Sequence, residues 1–283
     1  MPRSNQSRIN SKKQNKKTEP QEEAYNGAPQ IDENPLQFIV PTEVIDLPSR
    51  GKFYPPGHPL HNVDSIEIRH MTAKEEDILT STSLLRKGTA LDKVVQSVIV
   101  DKRVAVDDLL LGDKNSIIVH SRMFGYGNEY STNLTCPKCT APFTHSFDLE
   151  SVGVKDYESE LVKYDIELTE NNTFVMELPR SKTVVEFRLL TTRDEKRLLS
   201  KAKSISSIQL LEAIVVSLNG QTDGFYVKRA IAHLPIMDAT VLKRVYSKII
   251  PDLDMTQEVE CPECGNSSEM GVPLDANFFW PEF

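Results

Sequence analysis

The sequence predicts a mixed α+β fold of two pseudo-repeated helical lobes, each ending in a β-hairpin that carries a cysteine pair. Three observations predict it. All four cysteines sit in two C-x-x-C knuckles, Cys136-Pro-Lys-Cys139 and Cys261-Pro-Glu-Cys264. Polar, strand-like segments flank each knuckle, residues 132–135 and 143–149 around the first, 257–260 and 268–274 around the second. The order strand, capped helices, Asp-initiated helix, knuckle also occurs twice, with the same 23 residues from Asp113 to Cys136 and from Asp238 to Cys261.

Residues 1–34 read as a disordered charged arm. Arg3, Arg8, Lys12, Lys13, Lys16 and Lys17 stand among Asn, Gln and Ser, and Glu19, Glu22, Glu23, Asp32 and Glu33 follow. Such a stretch has too little apolar surface to fold alone. It is either a solvated tail or an arm that orders on a partner.

Residues 35–62 read as an extended, proline-rich docking segment. Phe38, Ile39, Val40, Val44, Ile45 and Leu47 lead into Pro48-Ser49-Arg50-Gly51 and Tyr54-Pro55-Pro56-Gly57-His58-Pro59-Leu60. Proline fixes the backbone and removes N–H donors, so this is a rigid loop and neither a helix nor a central strand. A rigid loop loses little entropy on docking, which makes Pro48, Arg50, Tyr54 and Pro55 candidate partner contacts. A wrap around the chain's own core fits the same residues.

The first lobe, 63–151, begins with a strand over 63–68. Thr72-x-x-Glu75 is a capping-box pattern opening a helix with Ile78, Leu79, Leu84 and Leu85. Leu91, Val94, Val95, Val98 and Ile99 recur at helical spacing and mark one buried face. Asp113 caps a third helix through Ile117, Ile118, Val119 and Met123, ended by Gly125-Tyr126-Gly127 before the knuckle.

The second lobe, 152–283, opens with β sequence over 163–169 and 173–178, read as a hairpin peculiar to this half. A strand with Val184, Val185, Phe187 and Leu189 follows, then Thr192-x-x-Glu195 as a second capping box. Leu210, Leu211, Ile214, Val215 and Leu218 share one face of a helix stopped by Asn219-Gly220. Asp238 caps a helix with Val241, Leu242, Val245, Tyr246 and Ile249, broken by Pro251. Past the second knuckle, Phe278, Phe279, Trp280, Pro281 and Phe283 cluster at a chain end, where polar residues are usual. These aromatics are buried either under the chain's own lobes or in a neighbouring subunit, and Phe278, Phe279, Trp280 and Pro281 are counted as candidate partner contacts.

Cys136, Cys139, Cys261 and Cys264 together make the thiolate set of one closed, structural zinc site, one ion per chain. The gap of about 120 residues between pairs, against about 15–20 in a compact ribbon, makes the metal a staple between distant parts of the chain. A redox dithiol would open a helix in a βαβ unit, and these knuckles lie between strands. Disulfides suit oxidising compartments, and the polar N-terminal sequence carries no secretory signal. His58, His61, His70, His120, His145 and His233 are scattered without a metallohydrolase pattern, so they read as surface or packing residues.

With 26% charged and 39% hydrophobic residues, the chain of 283 has the composition of a soluble globular protein and no run long enough to span a bilayer. Its net charge of −8, and Glu258, Glu260, Glu263 and Glu269 around the second knuckle, argue against a phosphate-tracking surface. A zinc-ribbon nucleic-acid-binding or regulatory protein is the alternative to a protein scaffold. No Gly-rich phosphate loop, GxSxG or metal-hydrolase motif is present, so no catalytic residue, small-molecule substrate or other cofactor is assigned.

Several stretches carry a family resemblance. They are Leu47-Pro48-Ser49-Arg50-Gly51 with Phe53-Tyr54-Pro55, His58-Pro59-Leu60, the helix start Met71-Thr72-Ala73-Lys74-Glu75-Glu76-Asp77, Arg86-Lys87-Gly88, Gly112-Asp113 and Phe279-Trp280-Pro281. From about residue 40 onward the chain resembles the baseplate hub protein family of T-even-type contractile-tailed phages. The resemblance implies a structural or assembly protein of the tail baseplate, made in the host bacterial cytoplasm. Its partners would be other baseplate or tail proteins, and it would have no catalytic residues. The charged arm is no part of the resemblance.

Overall fold

Nine α-helices and five small antiparallel sheets make up the described residues of this computed structural model, which are 40–200, 205–274 and 276–279. The arm expected at 1–34 lies outside them, as do Trp280 and Pro281. Strand β1 (Thr42–Asp46) pairs with β2 (Ser65–Arg69), Ile45 opposite Ile66, and both side chains are buried. The proline-rich loop between them closes on itself at Gly51, whose φ is +67°. A Cβ there would stand 2.4 Å from Leu60 O and Val63 N, so only glycine fits.

Helices α1 (Ala73–Thr80) and α2 (Thr82–Lys87) replace the single helix expected from Ile78 to Leu85, because Ser81 takes an extended backbone between them. In α3 (Ala90–Val98), Val94, Val95 and Val98 face the core. Ile99 then leaves the helix and bridges Ile68 as a strand residue. A 3-10 turn (Val106–Asp108) leads to α4 (Leu111–Tyr126) and the first knuckle hairpin, β3 (Glu129–Thr135) with β4 (Pro142–Asp148).

Next come β5 (Gly153–Val154), α5 (Tyr157–Lys163), β6 (Glu167–Leu168), β7 (Phe174–Glu177) and β8 (Val184–Phe187). Residue 163 thus ends a helix, started by the Asp156 side chain accepting from Ser159 N–H, where a strand was expected. Helix α6 (Thr192–Leu199) is followed by α7 (Ser207–Ile214) and β9 (Val215–Leu218). Residues 215–218 were read as the last turn of α7. They form the fourth strand of the sheet β6-β7-β8-β9 instead: β-branched Val215 and Val216 favour extended backbone, and Val215, Ser217 and Leu218 pair with Phe187, Glu186 and Val185 of β8.

Helix α8 (Gly224–Ala232), capped by Asp223, was not expected at all; α9 (Ile236–Ile249) follows. Then β10 (Leu253–Asp254) pairs with β5, and β11 (Thr256–Glu260) with β12 (Ser267–Gly271) forms the second knuckle hairpin. A last 3-10 turn (Ala276–Phe279) carries Phe278 and Phe279, both buried. No helix among the described residues is long and apolar enough to cross a membrane.

The capping box of α6 is formed by Thr191 and Asp194, one residue earlier than Thr192 and Glu195. Thr192 instead donates its N–H to Leu109 O (2.9 Å), and Leu110 bridges Thr191, joining the α4 lead-in to α6. Glu195 turns to Lys114, which also faces Asp92 at 3.5 Å. Asp113 and Asp238 are not caps either. Each is the third residue of its helix, behind Leu110 or Pro235 as the capping residue, and each carboxylate reaches a distant turn. Gly112 lets α4 approach the segment after α9: a Cβ there would fall 1.8 Å from Pro251 O.

The chain crosses over after each hairpin. Beyond β4, the strand β5 pairs with β10 and α5 packs on α9. Beyond β12, the last 3-10 turn packs on α4.

Candidate metal centre

Each knuckle is a tight turn closed by the same two backbone bonds. Cys136 N–H donates to Ala141 O (3.0 Å) and Thr140 N–H to Cys136 O (3.0 Å); Cys261 N–H donates to Asn266 O (3.0 Å) and Gly265 N–H to Cys261 O (2.9 Å). The residue after the second cysteine is left-handed in both, Thr140 at φ +58° and Gly265 at φ +62°. Gln257 stitches the two hairpins together: its Nε2 donates to Asp148 O (2.7 Å) and its Oε1 accepts from Asp148 N–H (3.3 Å).

The stitched hairpins bring the sulfurs of Cys136, Cys139, Cys261 and Cys264 within 4.8 Å of one another. The contacts run crosswise, Cys136 to Cys264 at 3.8 Å and Cys139 to Cys261 at 3.7 Å. Four sulfurs at about 2.3 Å from a central ion have tetrahedral edges of about 3.8 Å. A disulfide would need about 2.05 Å. The first cysteine of each pair is buried and the second exposed. The spacing and donor type are therefore compatible with a metal site closed by four protein ligands.

The electrostatics favour a cation at the centre. Backbone N–H groups of Cys139 and Lys138 point at the Cys136 sulfur and bring its pKa down to about 6. At Cys139 the Ala141 N–H acts downward, but burial and the three neighbouring sulfurs outweigh it and push the thiol up to about 12. Four thiolates this close repel one another unless a positive ion sits among them. Among the described residues no other group of three or more His, Cys, Asp or Glu ligands lies close enough to hold a metal. His145 stacks edge-on against Phe147 and His58 lies flat on Tyr54, in packing contacts.

Two aspartates, on the helices that precede these hairpins, hold distant turns. Asp113 accepts from Ser49 N–H (3.0 Å), Ser49 O–H (2.6 Å) and Tyr54 O–H (2.7 Å), which fixes the Leu47-Pro48 turn on α4. Asp238 accepts from Arg180 N–H and Ser181 N–H, both at 2.8 Å, which fixes the Leu178-Pro179 turn on α9. A third device is also doubled. Arg69 donates to Glu75 (2.6 Å) and His70 O (3.0 Å), while Arg188 donates to Asp194 (2.7 Å) and Leu189 O (3.2 Å).

A protein-family model described as T4 bacteriophage base plate protein matches residues 40–280. The chain belongs to that family. No curated protein and no solved structure matches it.

The candidate contact residues of this baseplate protein fall in two classes. Pro48 and Tyr54 are buried, and Phe53 beside them packs on Tyr157 and Phe174 at 5.7 and 5.4 Å, so the proline-rich loop wraps the chain's own core. Arg50 and Pro55 are exposed on that loop. Phe278 meets Tyr130 edge-on at 5.0 Å, and Phe279 is 0% exposed, so both aromatics are seated in this chain.

Arg122 was missed in the sequence. It is 1% exposed and forms no ion pair among the described residues. Its guanidinium donates to the carbonyls of Gly127 (2.9 Å), Glu129 (3.1 Å) and Phe278 (3.0 Å), locking the end of α4, the start of β3 and the last 3-10 turn together. A lone arginine inside a helix carries no sequence signal for this, because its hydrogen-bond partners are backbone carbonyls.

Proposed function

We propose that this protein is a structural or assembly component of the hub region of a contractile phage tail baseplate, working as a zinc-stapled protein–protein scaffold. The observation that carries the reading is the convergence of two cysteine pairs, about 120 residues apart in a baseplate-family chain, at zinc-like spacing. Zinc suits a closed tetrahedral thiolate set and supplies folding energy directly, on the order of 10 kcal/mol or more.

The staple joins two related lobes. Arg69-x-x-Thr72-x-x-Glu75 and Arg188-x-x-Thr191-x-x-Asp194 make the same contacts in the same order. One residue before each arginine, Ile68 bridges Ile99 and Phe187 pairs with Val215, in each case the residue just after a helix. With Asp113 and Asp238 each gripping a Leu-Pro turn 23 residues before its knuckle, the parallel extends through both lobes. On this reading β7 is the counterpart of β1.

The partners are other baseplate or tail proteins, reached from the exposed Arg50 and Pro55 and from Trp280 and Pro281. The protein resides in the virion tail baseplate and performs no catalysis. Glu258, Glu260, Glu263 and Glu269 beside the second knuckle would repel a nucleic-acid backbone.

The test is a metal and particle inventory. Plasma-emission analysis should find one zinc per chain. Cys264→Ser should lose most of the metal, unfold in milder denaturant and fail to appear in purified tail assemblies. No zinc, or two zincs per chain, would reject the staple; a zinc-loaded chain missing from every tail assembly would reject the scaffold.

A further inference from the structure

We propose that the cleft between α6, α7 and α8 is a docking site for an acidic, partly apolar segment of another tail protein. This rests on the baseplate reading above and names one of its contact surfaces.

The cleft appears when the two halves are compared position by position. Ile99 and Val215 bridge matching strand residues, so Ser97 and Ala213, two positions earlier, correspond. In the first half, Ser97 Oγ accepts from Arg69 Nη2 (2.9 Å) and donates to Glu75 (2.6 Å), filling the space over the ion pair. Ala213 has no hydroxyl to do this. Over Arg188 the space stays open as a cleft of about 300 Å³, lined by Arg188, Asp194, Arg197, Gln209, Glu212 and Lys228, among others. The Arg188 side chain is accordingly 37% exposed, against 22% for Arg69.

Charge selects the occupant. Asp194 is taken by Arg188, whereas Arg197 and Lys228 line the same cleft with no ion pair among the described residues. Helix α9 adds Lys243 at the start of α7, where its Nζ donates to Ser207 Oγ (2.9 Å). Its one acid, Asp238, is buried and holds the 180–181 turn. On a chain of net charge −8, Arg197, Lys228 and the neighbouring Lys243 leave this cleft with a local surplus of cations over Glu212, which attracts carboxylates.

Apolar exposure narrows the class further. Phe225, 77% exposed, lies one helical turn before Lys228 on the same side of α8, and Ile208, 50% exposed, lies one turn before Glu212 on the same side of α7. A free phosphate or a nucleic-acid backbone would leave these side chains in water and would meet Glu212 on the wall. A protein segment that alternates acidic and apolar side chains satisfies both features.

The experiment is site-specific photo-crosslinking in the full chain during phage infection. A photoreactive phenylalanine analogue replaces Phe225, with Val162 on α5, 83% exposed, as the control position. The expected result is one dominant crosslinked peptide, from a different tail protein and with an excess of Asp and Glu, absent from the control. An Arg197→Glu, Lys228→Glu double variant with unchanged zinc content and circular dichroism should lower the yield by about tenfold, the scale of lost charge contacts at an interface. Crosslinks to a second copy, to a neutral or basic segment or to nucleic acid would overturn the proposal. So would the absence of a crosslink in tail particles that do contain the chain. Absence of the chain from all tail particles would overturn the baseplate reading and this proposal together.

Discussion

Asp113 and Asp238 occupy the same position in their helices and grip equivalent leucine-proline turns, yet the two carboxylates are poised differently. Burial dominates at Asp113 and pushes its carboxyl up, despite the Ser49 and Tyr54 donors. At Asp238 burial also acts upward, but the backbone N–H groups of Arg180 and Ser181 outweigh it and hold the carboxyl low. Burial and the nearby Asp252 charge account for the rise at Asp113, the Arg180 charge helps hold Asp238 down, and the donors differ as well. Two of the three at Asp113 are hydroxyls, which can rotate and accept instead. Both at Asp238 are backbone amides, which cannot. One half therefore tolerates a neutral group where the other requires an anion.

The largest effect is expected at the doubled arginine pairs. Glu75 is fully buried, and although burial acts upward, the Arg69, Ser97 and Thr72 donors bring its pKa down to about 2 from 4.5. Glu75→Gln should cost about 2–3 kcal/mol in urea unfolding, less than a fully buried pair because Arg69 keeps some water. Since the folded pKa is depressed, this contribution is complete above about pH 4.5 and fades as the pH falls toward 2. An equal deficit at pH 7 and pH 2.5 would show that packing, and not charge, holds the first pair.

Next in size is the contrast between the aspartates. Asp238→Asn sets an amide N–H₂ against a backbone N–H and should cost about 2 kcal/mol. Asp113→Asn should cost about 1 kcal/mol, because the Ser49 hydroxyl can turn to accept. The pH slopes should oppose each other. A depressed carboxyl stabilises above its unfolded pKa, so the Asp238→Asn deficit shrinks as the pH falls. A raised carboxyl stabilises on the acid side, so the Asp113→Asn deficit shrinks as the pH rises. Parallel slopes in denaturation from pH 2.5 to pH 8 would abolish the distinction.

The smallest effect compares the knuckles. Thr140 is β-branched and held at φ +58°, where Gly265 stands in the second turn. Thr140→Gly should stabilise the zinc-loaded protein by up to about 1 kcal/mol, read as a rise in thermal midpoint. A loss of stability would mean that the Thr140 hydroxyl bond to Cys139 O (2.7 Å) outweighs the backbone strain.

The cysteine cluster was legible because ligand chemistry fixes residue type and spacing together. The equal distance from Asp113 and Asp238 to their cysteines was legible too, but the role of these residues was misread. An Asp near a helix start is ordinarily a cap, and only the chain's path shows that these two reach turns some 60 residues away. Residues 215–218 were misassigned because a short apolar run after a helix fits a final helical turn or a strand equally well, until the β8 edge decides it. Helix α8 escaped notice because its exposed Phe225 and Tyr226 break the one-sided pattern that marks a helix. That same exposure is the basis of the proposed docking site.

The bond from Arg122 to the Phe278 carbonyl also has a consequence for how the protein is made. It spans 156 residues, so α4 leaves the ribosome roughly 8–30 s before its partner at the usual 5–20 residues per second. During that interval the guanidinium lacks its third carbonyl, the seat for Phe278 and Phe279 beside Tyr130 lies open to water, and Cys136 and Cys139 have no second pair to share an ion with. The first half cannot finish independently while the second is being translated. These long-range contacts can close only after the second half has left the ribosome, and contacts of such sequence separation are slow to form.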